Sequence, residues 1–120
     1  MDAKNYSWAD VPLEEVTPTF ARQMVWGEQV MVARLHLKPG CEVPTHQHAN
    51  EQVSLVVRGR IRFWLGESGE RELELGPGEV LVIPGGTVHR ALVLEDFEGL
   101  DVFSPPRQDW IEGTDGYLRK

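Results

Sequence analysis

The chain has 120 residues, of which 41% are hydrophobic and 26% are charged. This length fits one compact domain, and the composition is that of a globular protein rather than a disordered one. With 12 Lys and Arg against 19 Asp and Glu, the formal net charge is -7. That balance disfavours nucleic acid or anionic lipid as the main partner, because either would require a basic surface. We therefore treat residues 1–120 as a single domain without a nucleic-acid partner.

The cysteine count and the hydropathy of the chain predict its compartment. Cys41 is the only cysteine, so no intrachain disulfide can form and nothing requires an oxidising environment. No apolar run approaches the about 18–20 residues of a membrane span, and the first residues lack the basic and apolar pattern of a signal peptide. We expect a cytoplasmic protein that does not contact a membrane.

The first predicted element is an N-terminal arm over residues 1–27, where Pro12 and Pro18 stand among acidic residues. From residue 28 the pattern changes to alternation. Met31 and Leu35 share one parity with other apolar residues, whereas Arg34 lies on the opposite parity. This period of two predicts a half-buried strand.

Further short strands are predicted along the rest of the chain, separated by turns rich in Gly and Pro. They cover residues 51–57, 60–65, 71–75, 80–84, 88–94 and 100–103. Short strands at this regular spacing predict an all-β sandwich or barrel. We place its core at about residues 28–104, followed by a tail over residues 105–120 with at most a short helical turn at 107–111.

Three of the four histidines predict a metal site. His46 and His48 are two residues apart, so in an extended segment both imidazoles point to the same side. His89 follows a glycine-rich turn and supplies a third imidazole. Three imidazoles favour Mn, Fe, Co, Ni, Cu or Zn over Ca or Mg.

The glycines around these histidines resemble the two sequence motifs of the cupin family. The first motif is Gly, five residues, His-x-His, three or four residues, Glu, six residues, Gly; Gly40, His46, His48 and Gly59 match it. Six residues separate Gly59 from Gln52, so an amide stands at the usual acidic position.

The second cupin motif is Gly, five, Pro, one, Gly, two, His, three, Asn. Its positions are matched by Gly78, Pro84, Gly86 and His89, with Val93 in place of the final Asn. The resemblance implies a small antiparallel jelly-roll barrel whose mouth holds one divalent transition metal on His46, His48, Gln52 and His89.

Two questions about this metal remain open from the sequence. Glu51 is the rival of Gln52 as fourth ligand, although its parity is wrong if Gln52 faces the barrel interior. A neutral amide leaves the full positive charge on the ion, which favours binding of a carboxylate. The ligand set does not distinguish Mn, Fe, Ni and Zn.

The segment from Leu100 to Arg107 carries the next candidate residues. Alternation puts Asp101 and Phe103 on one face and Leu100 and Val102 on the other, and it leaves open which face lines the barrel. The two prolines that follow would stiffen the chain and hold Arg107 at the rim, where a guanidinium can clamp a carboxylate through two parallel hydrogen bonds.

This Asp-x-Phe-Ser-Pro-Pro-Arg run resembles the pectin-degradation cupins that linearise unsaturated uronates, over about residues 8–119. The resemblance implies that 4,5-unsaturated monouronates from polysaccharide lyases are converted to the linear keto-uronate. In this interpretation Asp101 is the general acid and base, Arg107 fixes the carboxylate and Phe103 packs on the sugar. It also implies a homodimer formed through the N-terminal arm and a sheet edge.

Two other functions remain possible on the sequence alone. A metal-dependent dioxygenase or isomerase of the cupin superfamily would use the same ligands for a different reaction. A non-catalytic cupin that binds a sugar or a metal would show no turnover and would not need Asp101.

Overall fold

The computed structural model describes residues 2–119, and strands dominate it. The strands are β1 Glu14–Thr17, β2 Phe20–Trp26, β3 Met31–Leu37, β4 Glu42–His46, β5 Glu51–Arg58, β6 Ile61–Leu65, β7 Arg71–Leu75, β8 Val80–Ile83, β9 His89–Val93 and β10 Phe97–Ser104. One short helix, α1, covers Gln108–Glu112, and 3₁₀ turns cover Trp8–Asp10 and Gly116–Leu118. None of the helices within residues 2–119 is long and apolar enough to cross a membrane.

The strands form two antiparallel sheets around one core. The six-stranded sheet has the order β1-β2-β3-β10-β5-β8, and the four-stranded sheet has the order β4-β9-β6-β7. Side chains from both sheets meet in a single hydrophobic cluster that includes Leu35, Phe63, Ile83 and Phe103. The all-β prediction is confirmed, and the short helix falls in the tail where a helical turn was expected.

Alternation in the sequence places the side chains as predicted. In β3, Met31 and Leu35 are buried, whereas Arg34 on the opposite parity is half-buried on the outer face. In β8, Leu81 is buried and the neighbouring Val82 is 56% exposed. The valines of β8 therefore lie on the outer face of the larger sheet.

The expected N-terminal arm over residues 1–27 needs a correction, because β1 and β2 belong to the six-stranded sheet. β2 pairs with β3 along its whole length, from Phe20 opposite Leu37 to Trp26 opposite Met31. Two polar residues, Arg22 and Gln23, are buried in β2 and obscure its apolar pattern. Apart from the turn between β1 and β2 and the residue after β2, the part of the expected arm that lies outside the strands in the described chain is the stretch before Glu14.

The residues after β10 fold back onto the barrel, and we call residues 105–119 the C-terminal cap. Its anchor is Asp115, which is 1% exposed. Arg22 Nη1 donates to Asp115 Oδ2 at 2.6 Å, and Arg119 Nε donates to Asp115 Oδ1 at 2.9 Å. Glu14 accepts from both arginines, so β1, β2 and the cap share one ion-pair network.

Candidate metal centre

Three histidines converge at one end of the four-stranded sheet. β4 ends at His46, which pairs with His89 at the start of β9, and His48 follows two residues later. The ring of His89 lies 4.2 Å from that of His46 and 5.1 Å from that of His48, between centroids. One nitrogen from each ring lies within 4.8 Å of the others. The structure confirms that these three side chains are positioned to bind a metal.

Hydrogen bonds fix which nitrogen each ring presents. Each Nδ1 contacts a main-chain carbonyl: Pro44 O at 2.7 Å from His46, Asn50 O at 3.0 Å from His48 and Thr87 O at 2.8 Å from His89. A carbonyl oxygen can only accept, so each Nδ1 carries the proton and each Nε2 keeps its lone pair. The Nε2 of His89 is buried without a hydrogen-bond partner among the described residues. Such an atom is suited to a metal ion.

The histidines are held in the neutral form that a metal requires. Burial lowers the pKa of His46 to about 4, assisted by the nearby His89. Burial also lowers the pKa of His48 to about 4, assisted by the positive charge of Arg107. Burial also lowers the pKa of His89. At neutral pH these rings are therefore uncharged, and each Nε2 is free to bind a metal.

Gln52 lies beside these rings and is 5% exposed. Its Nε2 donates to Ser54 Oγ at 3.0 Å and contacts Asp101 Oδ2 at 3.4 Å, which turns Oε1 toward His48 Nε2 at 3.1 Å. The reverse amide orientation would place its oxygen against the Asp101 carboxylate.

The pair formed by Gln52 Oε1 and His48 Nε2 consists of two acceptors, since His48 Nδ1 holds the ring proton. Two acceptors at 3.1 Å repel each other unless a cation lies near both. Ligand atoms at about 2.1 Å from one ion and at right angles are about 3 Å apart. The four side chains therefore fit a divalent ion, whereas Glu51 is exposed and lies outside the histidine cluster.

Asp101, Phe103 and Arg107 line the same cavity as His46 and His89. Burial raises the pKa of Asp101 to about 6, and the Ser54 hydroxyl and the charge of Arg107 oppose that rise. Phe103 is 1% exposed, with its ring 5.8 Å from that of His48. Leu100 and Val102 are half-buried on the opposite face, so alternation correctly grouped these four residues.

Arg107 is where the sequence expectation differs from the structure. The residue is 2% exposed and not at the rim. Its Nε and Nη2 donate to Asp109 Oδ1 and Oδ2 at 3.0 and 2.9 Å, so the expected double hydrogen bond to a carboxylate is made within the chain. The guanidinium also lies over the Phe103 ring, 5.1 Å from its centroid. That carboxylate lies only two residues further along the chain, in the first turn of α1.

Sequence reasoning missed two aromatic residues of the site. Tyr117 stacks on His46 with ring centroids 4.7 Å apart, and it lines the cavity together with Trp110. The Tyr117 hydroxyl accepts from Arg107 Nη2 at 2.6 Å and from Trp110 Nε1 at 3.3 Å. Neither residue belongs to a spacing motif, and only the return of the cap places them here.

Solved structures with the same fold include two that align over nearly their whole length. KdgF from Halomonas sp. has a TM-score of 0.83 and 27% identity, with 91% of this chain and 99% of that chain covered. An RmlC-like cupin from Shewanella frigidimarina has a TM-score of 0.81 and 24% identity, with 90% and 96% covered. The second likeness concerns the fold alone.

Similarity to curated proteins is confined to part of the chain. The auxin-binding protein ABP19b from Prunus persica is 39% identical over 79 residues, which cover 62% of this chain. The aligned region is 38% of that protein, so the chain spans little more than a third of its length. The cupin domain model matches residues 33–103, more than half of the chain and including every histidine of the cluster. The chain belongs to the cupin family.

Proposed function

We propose that this protein is a metal-dependent enzyme that converts 4,5-unsaturated monouronates, released by polysaccharide lyases, to the linear keto-uronate. The observation that carries the proposal is Asp101, a carboxyl group with a pKa of about 6, in one cavity with His46, His89 and Arg107. The Asp-x-Phe-Ser-Pro-Pro-Arg resemblance to uronate-linearising cupins supports it, and so does the full-length structural match to KdgF.

His46, His48, His89 and Gln52 are the residues that would hold the ion. When bound, a divalent metal supplies Lewis acidity and positive charge for an anionic substrate. Because Gln52 is neutral, none of these four ligands cancels that charge. The chemistry of the donor set allows Mn, Fe, Ni or Zn.

Asp101 has the properties needed for the proton transfers of this reaction. The substrate is a cyclic hemiacetal and an enol ether, and its opening needs no oxidant. The hydroxyl proton at the hemiacetal carbon is removed, the bond from that carbon to the ring oxygen breaks, and the enol carbon gains a proton. A carboxyl group with a pKa of about 6 can accept the first proton and donate one later near neutral pH.

Arg107 and Phe103 are assigned to substrate binding. Two of the three guanidinium nitrogens of Arg107 face Asp109, and Nη1 has no partner among the described residues. We assign Nη1 to the substrate carboxylate. Phe103 supplies an apolar wall against which the sugar ring can pack.

The test is the loss of ultraviolet absorbance of the conjugated acid when lyase products are added to the metal-loaded protein. We expect turnover that a chelator abolishes and that Asp101→Asn reduces by about a hundredfold or more. The matched control is Asp96→Asn, which removes an exposed carboxylate paired with Arg58. This variant should retain activity. Chelator-insensitive decay, or unchanged decay in Asp101→Asn, would contradict this mechanism.

We also propose that the protein is a homodimer that acts on a small anionic sugar in the cytoplasm. β8 is an edge strand of the larger sheet, and its outward side chains, Val80 and Val82, are more than half exposed. An unprotected apolar edge of this kind favours pairing with a second copy.

A further inference from the structure

The phenol oxygen of Tyr117 has an unusual hydrogen-bond environment. Its neighbours are Arg107 Nη2 at 2.6 Å and Trp110 Nε1 at 3.3 Å. A guanidinium and an indole N–H can only donate. The Tyr117 oxygen therefore accepts twice, and its own proton is left to donate to another group. Among residues 2–119 no acceptor for that proton is found.

The position of Tyr117 shows where such an acceptor would lie. Its ring stacks on His46, and the residue lines the same cavity as Asp101 and Arg107. A group that enters this cavity and accepts a hydrogen bond beside Arg107 would meet the Tyr117 hydroxyl.

Tyr117 is also held firmly in place. It lies in the 3₁₀ turn Gly116–Leu118, which begins directly after the buried anchor Asp115. The bond from Arg22 to Asp115, at 2.6 Å, joins this turn to β2. The hydroxyl is thus positioned before a ligand arrives, which reduces the entropy lost on binding.

Arg107 gives a second donor in the same region. Asp109 already occupies Nε and Nη2, which leaves only Nη1 for a ligand. One nitrogen makes one of the two hydrogen bonds that a carboxylate normally takes from arginine. The second oxygen of a bound carboxylate needs another donor, and Tyr117 supplies one.

We propose that Tyr117 binds the substrate carboxylate, donating its hydroxyl proton to one oxygen while Arg107 Nη1 donates to the other. The inference rests on the proposed function, since it takes the carboxylate to be that of a uronate. In this arrangement Tyr117 and Arg107 together favour binding of a sugar acid over binding of the corresponding uncharged sugar.

The test is calorimetric titration of the zinc-loaded protein with galacturonate, a saturated monouronate, and with its uncharged methyl ester. Tyr117→Phe keeps the ring on His46 and removes only the hydroxyl. We expect the Kd for galacturonate to rise about ten- to hundredfold. The ester already lacks the charge, so its Kd should change by less than about threefold. Zinc affinity and the far-ultraviolet circular dichroism spectrum should match the wild type.

The matched control is Tyr6→Phe, which removes the hydroxyl of the other tyrosine, 59% exposed in the N-terminal residues. It should bind both sugars as the wild type does. In steady-state assays Tyr117→Phe should raise KM for the unsaturated monouronate more than it lowers kcat.

Three results would overturn the inference: an unchanged Kd for galacturonate in Tyr117→Phe, an equal loss for acid and ester, or no binding of galacturonate to the wild type. Failure of the proposed function has a different signature. The wild type would then bind galacturonate with Tyr117-dependent affinity but would not consume the unsaturated sugar.

Discussion

Gln52 shows how a single side chain sets the charge of the candidate metal centre. It stands where the first cupin motif usually carries Glu, and its amide is oriented by Ser54 and Asp101. The contact between Gln52 and Asp101 joins the proposed fourth ligand to the proposed general acid and base. A change at Gln52 therefore affects both metal affinity and the environment of Asp101.

We expect Gln52→Ala to weaken zinc binding about tenfold or more, because it removes the proposed oxygen ligand, which lies 3.1 Å from His48 Nε2. Isothermal titration of the metal-free protein measures this. Glu51→Ala is the matched control. Glu51 precedes Gln52 in the sequence, but its side chain is exposed, so its removal should leave zinc affinity unchanged. Equal losses in the two variants, or a loss only in Glu51→Ala, would make Glu51 the better candidate for fourth ligand.

Zinc should stay bound to this centre at a lower pH than it would at a site made of exposed histidines. Protons and metal compete for Nε2, and a lowered pKa means that protons compete only at lower pH. Because the pKa values of His46 and His48 are lowered from 6.5 to about 4, we expect zinc affinity to stay nearly level from pH 7 to about 5 and to fall steeply below. Equilibrium dialysis across this range provides the measurement. A tenfold loss between pH 7 and pH 6 would contradict the prediction.

At the residue scale, the sequence predicted the cluster of three histidines better than it predicted the surroundings of Arg107. The two histidine motifs predict this cluster because local spacing, together with turns at glycines with positive φ such as Gly40 and Gly86, determines where the histidines lie. Arg107 and Tyr117 depend instead on how the tail packs against the barrel. Asp109 is only two residues from Arg107, but no local pattern places Tyr117 against His46, so that contact required the structure.

At the element scale, the predicted strands were those with clear alternation. β3 and β6 bury every second residue, so their period of two is visible in the sequence. β2 buries Arg22 among apolar residues, and that arginine is paired with Glu14 on β1 and with Asp115, which is far away in sequence. Pattern reasoning cannot anticipate a buried ion pair with a distant partner, and β2 was therefore assigned to an arm.

The same ion pair gives a stability prediction for the C-terminal cap. Burial opposes ionisation of Asp115, but hydrogen bonds from Arg22 and Arg119 outweigh it and lower the pKa of this carboxyl group. Asp115→Asn leaves the fully buried Arg22 with Glu14 as its remaining carboxylate partner. We expect the free energy of unfolding to fall by about 3 kcal/mol, measured by urea denaturation.

The matched control for Asp115→Asn is Asp96→Asn. Asp96 pairs with Arg58 at 3.3 Å, but both side chains are more than half exposed. Solvent screens such a pair, so we expect a change within about 0.5 kcal/mol. A loss at Asp96 as large as that at Asp115 would show that burial does not decide the strength of these pairs.

On the scale of the whole molecule, the net charge of -7 and an anionic substrate are compatible because the charges are separated. Acidic side chains such as Glu72 and Glu98 pair with arginines on the outer faces of the sheets. The groups that line the cavity include the neutral rings of His46 and His89, the guanidinium of Arg107, the hydroxyl of Tyr117 and the carboxyl group of Asp101, whose pKa is about 6. The overall charge excludes a polyanion-binding surface without excluding a single small acid.

The two edges of the six-stranded sheet differ in a way that bears on assembly. β1 carries Glu14 and Glu15, charged residues of the kind that prevent edge pairing. β8 instead presents Val80 and Val82, and Val57 on the adjacent β5 is 53% exposed beside them. The edge at β8 is therefore the surface on which we expect the homodimer to form.

The double variant Val80→Lys with Val82→Lys should be monomeric, because each lysine places a charge where the second copy would bury a valine. Size-exclusion chromatography with light scattering should give the wild type twice the chain mass of 13.6 kDa and the variant a single chain mass. Glu72→Lys, on the edge strand of the other sheet, is the control and should remain dimeric. A monomeric wild type would contradict the proposed dimer. A dimeric double variant would move the interface away from β8, leaving the N-terminal residues as its next candidate.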